Sequence, residues 1–425
     1  MKLNFYTRSF ILVVATTFFS SKLFAQGCVA VRQMGGINPL STAGYTLPKG
    51  EFQIGTSYRY FHSFRHYVGT TEQPQRQTSG GGFDANGVEK GNAVNIYSHS
   101  VDLNLSYAIS DRFQVNVSIP YVNNERSQVL AVTKDPTTGQ TLQGIRYSVY
   151  AKGLGDIRFS ANYWVFDPAK SHNGNLLVGM GVKLATGSYT ATDNALALDP
   201  VTKQVITQNQ VMDQAIQPGD GGVGISIEVQ GFKQLYKGIY GFANGYYLFN
   251  PKESNGTFKS APSVVKDQNG NPTTLYGYNV YASPDQYFGR IGFMGSVLRN
   301  KSLTLSLAGR FEGIPAYDAF GGQVAYRRPG YVVAVESGVS YRTGKHGISL
   351  FVPVNFIRNR IQSAADIASQ NVQNTGLTDE SKRVHVQGDA AFADYSISVN
   401  YSYRIGKIFG KKTQKTFDVA PSATK

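Results

Sequence analysis

The sequence predicts an all-β protein: a transmembrane antiparallel up-and-down β-barrel of about twelve strands behind a cleaved signal peptide. Three observations predict it. Short segments of polar/apolar alternation recur along the chain. The connections between them are short and long in turn. Eleven charged residues inside the segments fall in one phase of the alternation.

The alternation comes first. Phe113, Val115, Val117, Ile119 and Tyr121 interleave with Gln114, Asn116 and Ser118. Val101, Leu103, Leu105, Tyr107 and Ile109 interleave with Asp102, Asn104, Ser106 and Ala108. Tyr395, Ile397, Val399, Tyr401, Tyr403 and Ile405 do the same near the end of the chain. A period of two sends one set to each face of a sheet. The apolar set is too continuous for a water-exposed face, and the polar set too polar for a buried core. Segments of this kind lie near 51–61, 97–109, 113–122, 154–166, 175–185, 221–232, 238–249, 285–298, 302–311, 330–342, 347–358 and 392–405. The phase of 238–249 is ambiguous, because Tyr and Phe fall on both faces.

Connections of a few residues, such as Ser110-Asp111-Arg112, alternate with loops near 62–96, 123–153, 186–220, 250–284, 312–329 and 359–391. Short turns on one side and long loops on the other is the outer-membrane barrel pattern, and an even strand count puts both chain ends in the periplasm. A soluble sandwich or propeller does not require this alternation.

The charges supply an independent check. Arg59, Asp102, Asp156, Arg158, Lys183, Glu228, Arg290, Arg310, Glu336, Arg342 and Arg404 all fall in the polar phase. A charge on the lipid face at mid-membrane costs roughly 2–4 kcal/mol. These residues are therefore the lumen-facing candidates. Seven are basic and four acidic, which reads as a channel with an anion bias or as internal salt bridging in a narrow barrel. Pro120 and Pro353 share the lumen phase. Neither can donate a ladder hydrogen bond, so each marks a kink, bulge or gap. One reading is a bend near the rim; another is a lateral opening in the wall.

The ends complete the layout. Lys2 and Arg8 precede the apolar run Phe10 to Phe19, with Leu23-Phe24-Ala25 before a cleavage point. Residues 1–25 read as signal peptide, 26–50 as a periplasmic or lumen-inserted segment, 51–405 as barrel and 406–425 as a basic periplasmic tail. Cys28 is the only cysteine, so no intrachain disulfide forms. No run of about eighteen apolar residues occurs, which excludes a helical span. The 27 Tyr and 25 Phe instead suit a lipid-facing sheet with aromatic girdles.

Two stretches resemble a known family. They are Tyr107 through Tyr121, a hairpin ending in Pro120-Tyr121, and Gly153-Leu154-Gly155-Asp156-Ile157, opening the next strand. Together they resemble the outer-membrane transporters named for the meta-cleavage pathway of phenol degradation. The resemblance covers roughly a third of the chain, through its first half, and implies a transporter for small, aromatic or apolar solutes. In broad plan the chain is also similar to long-chain fatty-acid transporters, which have more strands and a longer N-terminal hatch.

No phosphate-binding loop or cysteine-pair metal spacing is present, and the net charge of +14 is spread over strands, turns and tail, which argues against nucleic acid. His99 falls in the lipid phase, its neighbours Ser98 and Ser100 fall in the other, and no serine is placed beside it on its own face, so a lipid-facing hydrolase lacks its nucleophile. His62 and His66 bracket Ser63-Phe64-Arg65 and fall short of a metal ligand set. The expectation is a non-enzymatic outer-membrane channel or transporter for small solutes, with no cofactor or metal. Its partners are membrane lipid and solute. The alternatives are a sealed barrel whose loops bind a partner, and a hydrolase.

Overall fold

The computed structural model describes residues 46–74, 94–134, 141–298, 300, 302–321 and 324–407. The leader, Cys28 and most of segment 26–50, and the tail beyond 407 lie outside the described residues.

Twelve wall strands run antiparallel in chain order. They are β1 (Glu51–Val68), β2 (Asn95–Ala108), β3 (Phe113–Lys134), β4 (Thr141–Leu154, resuming as Arg158–Trp164), β5 (Gly174–Lys183) and β6 (Gly224–Tyr236). Then follow β7 (Ile239–Phe249), β8 (Gln286–Ser296), β9 (Leu303–Ile314), β10 (Gly330–Thr343), β11 (His346–Asn359) and β12 (Ala390–Lys407). Each pairs with its chain neighbours. β12 also pairs with β1, from Glu51↔Lys407 to Tyr67↔Ala390, and closes the ring.

The phase of the alternation is as the charges require. Val178, Met180 and Val182 on β5, Ile225, Ile227 and Val229 on β6, and Ile348 and Leu350 on β11 are exposed on the outside. Aromatic rings cluster at the strand ends. Tyr247, Tyr287, Phe311 and Tyr331 form a chain of ring contacts with centroids 6.5, 5.1 and 5.5 Å apart across β7 to β10. At the other end, His346 bonds Tyr401 at 2.8 Å and packs on Tyr403. An apolar exterior, interfacial girdles and a closed ladder make this a membrane-spanning barrel of the outer membrane. The turn end, with Gly50 and Lys407, faces the periplasm. The N-terminal approach is tied there by Gly50 N to Ala108 O at 2.7 Å.

The structure corrects several expected boundaries. β1 runs seven residues past the expected 61. Of residues 123–153, expected as loop, 123–134 and 141–153 instead continue β3 and β4 as a paired ladder above the membrane. Outside lipid the apolar phase weakens, so Asn123, Asn124, Glu125 and Arg126 concealed the strand. Its inner side carries Val149 and Ala151 into a small core with Ile96, Ala195, Met212 and Ile216. The expected strand 154–166 is interrupted at 155–157. The loop 186–220 contains the hairpin Thr192–Leu198 with Val205–Val211. The loop 359–391 contains the helix α1 (Ala364–Gln373), started by a capping box between Ser363 and Asp366.

Candidate functional site

Strand alternation delivers the charged side chains to the lumen, where they meet partners from distant strands. Glu336 on β10 accepts from Arg290 on β8 and from Arg310 on β9, each at 2.7 Å. Arg310 also reaches Glu312 at 2.8 Å, and Glu312 lies 3.9 Å from Arg59 on β1. The five groups form a lattice that crosses the lumen from β8 to β1. All are buried; Glu312 is 0 % exposed. Buried charges persist only where paired and hydrogen-bonded, and here each carboxylate meets two guanidiniums.

Aromatic rings back the lattice. Arg290 lies 5.6 Å from the Phe242 ring and 5.4 Å from that of Phe351, and Arg310 lies 4.8 Å from that of Phe288. Arg158 stacks on Tyr246 at 4.6 Å and faces Glu228 at 4.0 Å. This resolves the ambiguous segment: β7 turns Tyr240, Phe242, Tyr246 and Leu248 inward and keeps Gly241, Ala243 and Gly245 outside. One side of the lumen is therefore aromatic. The facing side, on β11 and β12, is mixed: buried Ser349, Asn355, Ser396, Ser398 and Asn400 lie beside buried Phe351 and Phe392.

A second cluster lies towards the cell exterior. Residues 216–222 of the long loop 184–223 fold inward and are all buried. Asp220 on this plug forms an ion pair with Lys183, which also reaches Asp156 at 3.5 Å. Asp156 in turn accepts Gly187 N at 2.9 Å and Asp220 N at 3.2 Å. Asn250 and Ser283 hold the plug residue from the neighbouring loop at 3.3 and 2.8 Å. Glycine is required here: a Cβ on Gly219 would lie 2.4 Å from Gly187 O, and Gly221 has φ +77°. Beneath the plug, between Pro218, Arg158, Tyr246 and Gln286, is a cavity of about 20 Å³. Above it, Arg328 clamps Asp213 with two bonds of 2.9 Å.

The third feature is the wall itself. β3 pairs with β4 through Ser118↔Arg158, then again from Tyr121↔Leu154. Pro120 sits opposite the interruption, and its carbonyl accepts Gly155 N at 2.8 Å. Beyond Arg158↔Lys183 the β4–β5 ladder stops. The seam is bridged by Leu184 N to Ile157 O and Ile157 N to Thr186 Oγ1, both 2.8 Å, and by Tyr150 N to Asp193 Oδ2 at 2.7 Å. Pro353 occupies a gap in the β11–β12 ladder between Phe351↔Ser398 and Val354↔Tyr395.

The remaining candidates are dispersed. Asp102 and Arg342 are half-buried in the lumen phase, and Arg404 reaches Thr46 O at 3.2 Å at the periplasmic end. The expected anion bias does not hold at mid-lumen: Glu312 and Asp220 were missed and neutralise it. Glu312 lies one residue past the expected strand end. Asp220 lies in the polar loop, where the run Pro218-Gly219-Asp220-Gly221-Gly222 was its one available signal. His99 bonds Tyr58 OH at 2.9 Å on the outer face. His62 bonds Asn95, whereas His66 is buried, bonds Asp389 at 2.7 Å and accepts Val94 N, so the two histidines do not converge.

No family model and no curated protein matches the chain. Solved structures do. An outer-membrane channel of Pseudomonas putida F1 is 12 % identical, with a TM-score of 0.49 over 84 % of this chain and 96 % of that one. The toluene transporter TbuX of Ralstonia pickettii is 13 % identical, with a TM-score of 0.39 over 90 % and 99 %. The translocator domain of the autotransporter NalP of Neisseria meningitidis is 10 % identical, with a TM-score of 0.39 over 86 % and 92 %. Likeness at this level does not separate one barrel function from another.

Proposed function

We propose that the protein is an outer-membrane channel or transporter for small solutes, closed in the state described above. The observation that carries this reading is the nature of the seal. The extracellular half of the lumen is closed by a glycine-hinged loop segment, held through Asp220 and backed by aromatic side chains. A barrel serving only as an anchor needs no removable seal. The aromatic wall of Phe242, Tyr246 and Phe288 suits a solute with an aromatic or apolar face. The same solute class is implied by the resemblance to the phenol meta-cleavage transporters. The interruption at 155–157 opposite Pro120 offers such a solute an exit into hydrocarbon.

The test is reconstitution of the mature chain, wild type and Asp220→Asn, in planar bilayers and liposomes. The expected result is low conductance and slow solute entry for the wild type, and a rise of both in the variant. Absence of ion and solute passage in both proteins under any gating condition would sink the channel reading.

A second reading is a sealed barrel presenting its loops to a partner. It is favoured by the hairpin Thr192–Leu198/Val205–Val211, whose second strand is exposed along its length. Deleting 192–211 separates the two: a transporter changes its uptake, whereas an anchor loses a bound partner.

A further inference from the structure

We propose that the periplasmic rim formed by the turns 109–112, 165–173 and 237–238 binds the phosphate headgroup of an anionic phospholipid of the periplasmic leaflet. Arg112 anchors the site. Its Nε donates to Trp164 O at 3.0 Å and its Nη2 to Val165 O, which fixes the guanidinium at the membrane boundary. The same group lies 4.7 Å from the ring of Tyr163, which is exposed on the lipid face. Lys233 continues the lipid-facing phase of Ile225, Ile227 and Val229. It pairs with Gly174, beside the turn that carries Lys170 and His172. Gln234 N bonds Asn173 O at 2.6 Å and ties the β6 end to this turn. Lys237 stands at the next turn.

Lys170, His172, Lys233 and Lys237 are all exposed. Among the described residues none of the three lysines makes an ion pair. The local acids have other attachments: Asp111 accepts Lys49 N at 2.9 Å and Asp167 caps Ala169 N at 3.0 Å. Phe166, Leu235 and Tyr236 are exposed among these cations. Four cations against two acids, mixed with apolar side chains at the boundary, match a lipid that presents a phosphate above acyl chains. A headgroup with net negative charge is favoured over a zwitterionic one by this excess. Lys233 on the lipid-facing phase is the telling residue, since a cation there requires either a route to water or an anion beside it.

The chain contains a single tryptophan, Trp164, in the wall strand behind the rim and packed on Phe232 at 6.3 Å. Its side chain is buried on the lumen side, so Phe166→Trp in a Trp164→Phe background, otherwise wild type, puts the reporter on the exposed rim. This full mature chain is reconstituted in phosphatidylcholine vesicles containing either brominated phosphatidylglycerol or brominated phosphatidylcholine at equal mole fraction. The expected result is stronger quenching of the rim tryptophan by the anionic lipid, by about twofold. That excess disappears at ionic strengths near 1 M, where screening shortens to about 3 Å. It also disappears in Lys170→Gln/Lys233→Gln/Lys237→Gln, and it persists when inorganic phosphate is added. Equal quenching by the two lipids in the reporter chain overturns the proposal, and so does a preference that survives the triple substitution. Displacement of the preference by inorganic phosphate assigns the rim to a free anion and overturns the lipid. The comparison in the reporter chain decides the matter even where the triple variant fails to fold.

Discussion

Two charge clusters lie inside this lumen, and they differ in what they join. The lattice of Arg59, Glu312, Arg310, Glu336 and Arg290 joins wall strand to wall strand, on the side where β8 to β10 run in unbroken ladders. The Asp156–Lys183–Asp220 cluster joins the wall to a loop, on the side where β4 is interrupted. In the lattice no partner can leave without unzipping a strand. In the plug, Asp220 can leave with its loop, because Gly219 and Gly221 flank it. Similar ion pairs therefore join wall to wall in one region and wall to loop in the other, where the proposed function takes the contact as a reversible closure.

The sharpest way to break this contrast is Glu336→Ala. It leaves Arg290 buried without a carboxylate and Arg310 with Glu312 alone, and losing one partner of a buried pair costs about 3–5 kcal/mol. Urea unfolding of the detergent-solubilised barrel should show that loss. A change below about 1 kcal/mol would place the lattice in water rather than in a packed interior. Asp220→Asn should do the reverse: little change in unfolding, and an open probability raised on the order of tenfold, the effect of about 1.4 kcal/mol. Single-channel recording measures it, and unchanged gating removes the plug from the mechanism.

The cap above the plug responds to acid in a defined direction. Burial raises the Asp213 carboxyl, but Arg328 and Arg126 outweigh it and hold it below the usual carboxylate range. With a depressed folded value, the bridge contributes at every pH above the unfolded value, about 3.9. It is lost as pH falls below that, through the folded value. Protease sensitivity of the loops 184–223 and 315–329 should stay flat from pH 7 to about pH 4 and rise only below. A rise near pH 6 would assign the cap to another group. The smallest effect is expected of His99→Ala, which removes a surface bond to Tyr58. Stability should shift by no more than about 0.5 kcal/mol. A lost lipase activity would instead revive the hydrolase reading.

The barrel was legible because lipid imposes a rule on every wall residue. Val101 and Leu103 must flank Asp102 outwards, and Val182 must flank Lys183 outwards, or charge enters hydrocarbon. That rule weakens above the membrane, so the strand through Asn123 to Ser127 read as loop. It is silent wherever both phases are aromatic, as in β7. The sequence determined the closed twelve-strand wall, its inward charges and the prolines at breaks in its ladders, since each follows from local alternation and from backbone donors. Only the tertiary structure decided that Glu336 meets two arginines, that Glu312 reaches Arg59 across the lumen, and that Asp220 of a distant loop meets Lys183. Those contacts join residues far apart in the chain, and alternation fixes the face a side chain takes but not the partner it finds there.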